Sequence, residues 1–140
     1  MNRAVLEQAV RGPAQASGAV AVYLHGSRAC GMGRADSDLD LAVLLPHGRD
    51  FESVAPMLAE AVAPVASMSP DDVDVQNLGQ APPLFRVRVL TEGVLVYLSD
   101  PTALARFQAT SMCEHWDNEI YLAPFREAMR QRIREGRFAS

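Results

Sequence analysis

The feature that most constrains this chain is an apolar run, a glycine-rich break and a second apolar run that carries two acids. The first run covers residues 18–24 and is followed by His25 and the pair Gly26-Ser27. The second run starts at Asp38, after the ten intervening residues 28–37. Continuous runs of this length, with β-branched and aromatic members, are typical of buried strands. The chain therefore places at least two strands in the core of a sheet.

The second run carries acids at alternate positions. Side chains of a strand alternate between its faces, so Asp38 and Asp40 project together while Leu39 and Leu41 face the other side. Two neighbouring carboxylates repel each other unless a cation lies between them. Mg²⁺ prefers oxygen ligands and takes further ones from a nucleoside triphosphate. The strand over residues 38–45 is therefore predicted to bind a magnesium nucleotide.

The segment between the two strands favours close contact with phosphate. Gly26 and the glycines that follow permit a tight turn and a close approach of the backbone to a ligand. Ser27 is predicted to cap a short helix, whose free backbone N–H groups would point at an anion. Arg28 or Arg34 would add positive charge. We expect Gly26, Ser27 and Arg28 to bind the triphosphate.

A later strand offers a third acid. Residues 72–78 alternate between polar and apolar, which places Asp72, Asp74 and Gln76 on one exposed face. If this strand lies beside the second one, Asp74 joins Asp38 and Asp40. Three such acids suit metal-assisted nucleotidyl transfer, in which two metal ions bind the attacking and leaving oxygens. We expect Asp74 to be the third acid, with Asp72 as the alternative.

The remaining patterns complete an α/β (α+β) fold with a small mixed sheet of about four strands flanked by helices. Apolar spacing and helix start signals predict four helices and one further strand. The helices are expected over residues 2–11, ended by Gly12-Pro13; 51–63, capped by Asp50; 83–91; and 101 to about 134, with a break or kink at Pro124. The further strand is expected over 94–98. Residues 1–99 form the core and 100–140 a helical segment of the same domain.

Composition narrows the class of protein. The chain has 140 residues, 49% of them hydrophobic, and a net charge of −4, which suits one globular domain and argues against nucleic-acid binding by phosphate neutralisation. No apolar run approaches the length that spans a membrane. Cys30 and Cys113 lack the spacing of a zinc site and are interpreted as free thiols in a reducing compartment. We therefore expect a cytoplasmic protein.

The order of strand, Gly-Ser, spacer, Asp-x-Asp and later Asp resembles the minimal nucleotidyltransferases of the DNA polymerase beta superfamily. The stretches 74–78, 82–84 and 93–97 are similar to the MntA-like antitoxins, which pair with HEPN ribonuclease toxins. The resemblance implies the polymerase-beta-like fold, two Mg²⁺ ions and ATP as substrate. It implies catalytic and metal-binding acids at Asp38, Asp40 and Asp74, and nucleotide binding by Gly26, Ser27 and Arg28.

The implied function is transfer of AMP from ATP to a tyrosine hydroxyl of a HEPN toxin, which silences the toxin's RNase activity. Cys30 stands where relatives often carry arginine, so that position departs from the pattern. Two alternatives remain: a small-molecule nucleotidyltransferase, which normally needs an additional helical domain, and a non-catalytic antitoxin that binds and masks its toxin. His25 is interpreted as a packing residue, with nucleotide contact as the alternative.

Overall fold

A four-stranded mixed sheet with helices on both faces forms the body of the protein. The computed structural model describes residues 2–26, 28–29 and 38–136. In chain order the helices and strands are α1 (Arg3–Ser17), β1 (Ala21–His25), β2 (Leu39–Leu44), α2 (Phe51–Val62), β3 (Val73–Asn77), α3 (Pro83–Glu92), β4 (Val94–Leu98) and α4 (Pro101–Arg134). Short 3-10 turns at Pro70–Asp72 and Leu78–Gln80 flank β3. The predicted α/β class is confirmed.

The strand order β3-β2-β1-β4 determines which residues meet at each end of the sheet. β1 is antiparallel to both β2 and β4, whereas β3 is parallel to β2. The end of β1 therefore lies beside the beginning of β2, which in turn lies beside the beginning of β3. His25 pairs with Asp40, and Asp40 pairs with Asp74. The third strand thus lies beside the second, as the proposed acid triad requires.

Alternation along β2 separates two hydrophobic clusters. Leu39, Leu41 and Val43 are fully buried against the apolar stripes of α1 and α2. Ala42 and Leu44 pack on the other face with residues of α3 and α4. Asp40 has the same parity as Ala42, so the acids lie on the α3 and α4 side of the sheet.

Two predicted boundaries near the N-terminus are wrong. The first helix does not end at Gly12-Pro13 but continues to Ser17. Its buried stripe extends to Ala14, and this packing outweighs the one helix hydrogen bond that a proline removes. Gly18 then ends α1 with a φ of 72°. The first strand consequently begins at Ala21, three residues later than expected.

The other helices follow their predicted bounds closely. The Asp50 side chain accepts hydrogen bonds from the backbone N–H of Glu52 and the hydroxyl of Ser53, which confirms its role as the cap of α2. α4 remains helical through Pro124, so the chain does not break there. Among the described helices, none combines the length and the apolar character needed to cross a bilayer.

Candidate functional site

Three polar residues lie side by side across three strands at one end of the sheet. His25 is the last residue of β1, Asp40 the second of β2 and Asp74 the second of β3. Residues paired directly across strands share a face. These three side chains therefore lie in a row on the α3 and α4 side of the sheet, with Asp40 in the middle.

Asp40 is the most buried carboxylate of this row. It is partly covered, and this burial raises its pKa above the usual value for aspartate. His25 opposes the rise, while the charges of Asp74 and Asp38 add to it. Asp38 directly precedes β2 and is exposed. Both other predicted acids therefore act electrostatically on Asp40, and a nearby cation would relieve this repulsion.

Asp74 is held in place by a neighbour on the same face. The Gln76 side chain donates a hydrogen bond from Nε2 to Asp74 Oδ2 over 2.8 Å. Both residues are exposed at the edge of the sheet. Asp72, the alternative third acid, lies in the 3-10 turn before β3 and has no place in the ladder with β2. The geometry therefore favours Asp74 over Asp72.

Gly26 brings the backbone against the carboxylate of Asp40. Its φ is +77°, a conformation that residues with a side chain rarely adopt. A Cβ atom at this position would overlap Asp40 Oδ2. Both features favour glycine here, and Gly26 is packed directly on the Asp40 carboxylate.

The other predicted phosphate-binding residues have different outcomes. Ser27, with its expected helix cap, lies outside the described residues, as do Arg34 and Cys30. Arg28 is half-buried and lines a cavity of about 340 Å³ between α1 and β4. Arg3 and Leu6 of α1 line the same cavity.

His25 and Gln76 also adjoin the acids, although the sequence predicted packing for His25, with nucleotide contact as the alternative, and assigned no role to Gln76. The His25 ring lies edge-on to Phe85 of α3, with 5.4 Å between ring centroids, so the expected packing role is correct. Its Nε2 is nevertheless buried without a hydrogen-bond partner among the described residues. The signal was its position: the last residue of β1 faces the Asp-x-Asp motif once β1 and β2 pair antiparallel.

The donor set of this site fits a magnesium nucleotide. Mg²⁺ is commonly held by one or two carboxylates together with phosphate oxygens of its substrate. Asp38, Asp40 and Asp74 offer carboxylate oxygens at one end of the sheet. In the part of the chain that the structure describes, no group of three His, Cys, Asp or Glu side chains could hold a metal ion. The triphosphate would supply the remaining oxygens.

Comparison with known families identifies the fold. The family model for polymerase beta nucleotidyltransferases matches residues 14–102, which include all four strands and the three acids. No curated protein matches the chain significantly. A solved minimal nucleotidyltransferase is 32% identical with a TM-score of 0.55, and the match covers 67% of this chain and 95% of the other.

Longer structural matches come from toxin–antitoxin complexes. One, crystallised with AMP-PNP, has a chain that is 20% identical with a TM-score of 0.70, covering 87% of this chain and 96% of the other. Another is the tri-AMPylated Shewanella oneidensis HEPN toxin in complex with MNT antitoxin, at 18% identity, a TM-score of 0.67 and coverage of 91% and 98%. At these identities the likeness is one of fold.

Proposed function

Because the chain belongs to the polymerase beta nucleotidyltransferase family, we propose that it transfers AMP from ATP to a tyrosine hydroxyl of a HEPN-type toxin. The modification would silence the toxin's RNase activity and make this protein its antitoxin. The observation that carries the proposal is the pairing of Asp40 with Asp74 on adjacent strands, beside Asp38 and the Gly26 turn. The fold shared with chains of toxin–antitoxin complexes supports this choice of partner.

Each acid has a role in this reaction. Bound Mg²⁺, two ions in the full proposal, would neutralise charge on the phosphates and on the attacking and leaving oxygens. Asp38 and Asp40 would hold the metal and its nucleotide. Asp74 would complete the oxygen ligands and accept the proton of the tyrosine hydroxyl, and Gln76 bonds the Asp74 carboxylate and fixes its orientation. A bond forms between the tyrosine oxygen and the α-phosphorus, and pyrophosphate leaves with the bridging oxygen.

The triphosphate requires donors opposite the acids. Gly26 lies directly against Asp40, so phosphates bound at the acids would lie close to the Gly26 backbone. We assign Ser27 to the same task as a hydroxyl donor, whereas Arg28 lines the cavity on the α1 side of the sheet, away from the acids. Hydrogen-bond donors would then hold the phosphates while the carboxylates hold the metal.

The three acids Asp38, Asp40 and Asp74, here termed the acid row, lie at an open end of the sheet, and this favours a protein as the acceptor. Asp38 and Asp74 are exposed, and β3 is an edge strand. α4 follows the core as one long helix and forms no second pocket-bearing domain among the described residues. A small molecule would need additional walls to be held in place. A protein acceptor brings its own surface. Because the reaction consumes ATP, we propose that it takes place in the cytoplasm.

The test is the intact mass of a candidate HEPN-type toxin after incubation with this protein, ATP and Mg²⁺. We expect AMP-sized additions that map to tyrosine and are lost with Asp40→Asn or Asp74→Asn. Asp72→Asn is the matched control and should retain them, because Asp72 lies outside the acid row.

Other results would contradict the proposal in distinct ways. Inhibition of the toxin without added mass, unchanged in Asp40→Asn, would mean that the protein acts by masking. Nucleotidyl transfer to a small molecule with no toxin present would identify a small-molecule enzyme. Loss of activity in Asp72→Asn but not in Asp74→Asn would exchange the two assigned roles.

A further inference from the structure

The second half of α4 exposes an unusual number of large hydrophobic side chains. Of the eleven such residues exposed in the described part of the chain, seven lie between Trp116 and Ile133. Every residue from 120 to 134 is exposed. The helix contains 34 residues and is about 51 Å long, so this half extends beyond the domain that the first half packs against. An apolar surface of this kind marks an interaction site.

Four of these residues form one continuous face, here termed the α4 stripe: Leu122, Phe125, Met129 and Ile133. Their spacing of three, four and four residues places them on one side of a helix. Tyr121 contacts Phe125, with ring centroids 6.0 Å apart. A stripe with this spacing is typical of a helix that packs against another helix.

The α4 stripe repeats the face that already packs on the domain. Eighteen residues complete five helical turns at 3.6 residues per turn. Leu122 therefore lies on the same side of α4 as Leu104, Phe125 on the same side as Phe107, and Met129 on the same side as Ser111. The three earlier residues face α3 and the sheet: Leu104 and Ser111 are buried, and Phe107 contacts Arg86 of α3. The stripe is thus a packing face that has no counterpart among the described residues.

We infer that the α4 stripe is the docking surface for a helical face of the toxin, an inference that rests on the proposed function. α4 packs on the same side of the sheet that carries the acid row. A partner seated on the stripe would therefore lie on the side from which its hydroxyl must enter. In this arrangement the α4 stripe binds the toxin, and the acid row carries out the AMP transfer.

The charged side chains around the α4 stripe are largely paired with one another. Arg126 forms an ion pair with Glu119, and Arg130 and Arg134 form ion pairs with Glu127. Buried area rather than charge therefore decides between a second copy and the toxin as the occupant. Four side chains on one helix face offer much less than the roughly 800 Å² per partner of a standard interface. The toxin can supply the remaining area where it reaches the acids.

The extent of the structural matches points the same way. A match over 87% of 140 residues leaves about 18 outside, so at least half of the 40 residues from Pro101 onward are included. That match is to a chain of a toxin–antitoxin complex. The minimal nucleotidyltransferase matches over 67% of the chain, which leaves about 46 residues outside, enough to omit the whole segment. The first part of α4 is therefore a fold feature shared with that chain.

Binding of the HEPN protein by stripe variants tests this inference. Phe125→Asp and Met129→Asp each place a charge on the stripe, and Gln131→Asp places the same charge on the opposite side of the same turns. Calorimetric titration should show at least about tenfold weaker binding for the two stripe variants, and wild-type binding for the control. All three should keep wild-type thermal stability and wild-type binding of a fluorescent ATP analogue with Mg²⁺, because these positions are exposed and outside the acid row.

The outcomes separate the inference from the proposed function. Equal binding by wild type and both stripe variants would overturn the docking surface and leave the proposed function intact. Failure of the wild type itself to bind the HEPN protein would overturn both. A wild-type dimer in analytical ultracentrifugation that Met129→Asp converts to monomer would overturn the inference in favour of a second copy.

Discussion

Replacing Gly26 by alanine tests the contact on which the acid site depends. The added Cβ would occupy the position of Asp40 Oδ2, and the backbone there has a φ of +77°. The carboxylate end of aspartate can rotate away at small cost to stability. It then leaves the position in which it faces Asp74 and Asp38. We therefore expect Gly26→Ala to damage catalysis far more than folding.

The two effects differ in size. Left-handed backbone at a residue with a side chain costs about 1–2 kcal/mol. For a domain of this size that lowers Tm by several degrees. Displacement of a catalytic group by about 1 Å costs about a hundredfold in rate. We predict that Gly26→Ala lowers the free energy of unfolding in urea by about 1–2 kcal/mol. We also predict that it slows AMP transfer at saturating ATP by at least about a hundredfold.

Gly48→Ala is the matched control. Gly48 has a φ of +88°, and a Cβ there would meet no atom within 4 Å. It should show the same loss of stability with normal activity. Full activity of Gly26→Ala would refute the reasoning, since the carboxylate would then tolerate displacement. Equal loss of activity in both variants would assign the effect to backbone strain alone.

Three further predictions concern the charges around the site and α4. Asp40→Asn in metal-free protein should raise the urea midpoint at pH 7: burial raises the pKa of Asp40, so its ionised form costs folding free energy. That gain should vanish as the pH falls below the unfolded pKa of about 3.9, where the wild-type side chain is also neutral. Arg86→Met should lower unfolding free energy by about 1–3 kcal/mol in urea, because Arg86 bonds Glu114 and a backbone carbonyl, whereas exposed Arg88→Met should not. Gln76→Ala should slow AMP transfer about tenfold by freeing Asp74, with an unchanged Tm; an unchanged rate would refute its orienting role.

The sequence predicted the acid row because its signals are local. Alternation places Asp38 and Asp40 on one face whatever the rest of the chain does, and the same holds for Asp74 and Gln76. Asp74 could join Asp38 and Asp40 in one site only if β3 lies beside β2. Alternation does not determine strand order, which follows from how helices cover the sheet. The sequence therefore left the position of β3 open, and the structure places β3 parallel to β2 and next to it.

The errors arose where tertiary contacts override local preference. Gly12-Pro13 is a strong stop signal, yet α1 continues because Ala14 lies on its buried stripe. Pro124 lies within an exposed helix, where the loss of one hydrogen bond does not end the helix. The position of His25 beside Asp40 depends on an antiparallel pairing between residues fifteen apart, which no local pattern encodes.

The most direct test of the central claim follows the two ends of ATP. The HEPN protein is incubated with this protein, Mg²⁺ and ATP labelled at either the α- or the γ-phosphate. Nucleotidyl transfer predicts that α-label becomes attached to a toxin tyrosine while γ-label leaves in pyrophosphate, and that Asp40→Asn abolishes both. Attachment of γ-label to the toxin, or toxin inhibition with neither label attached, would contradict the account.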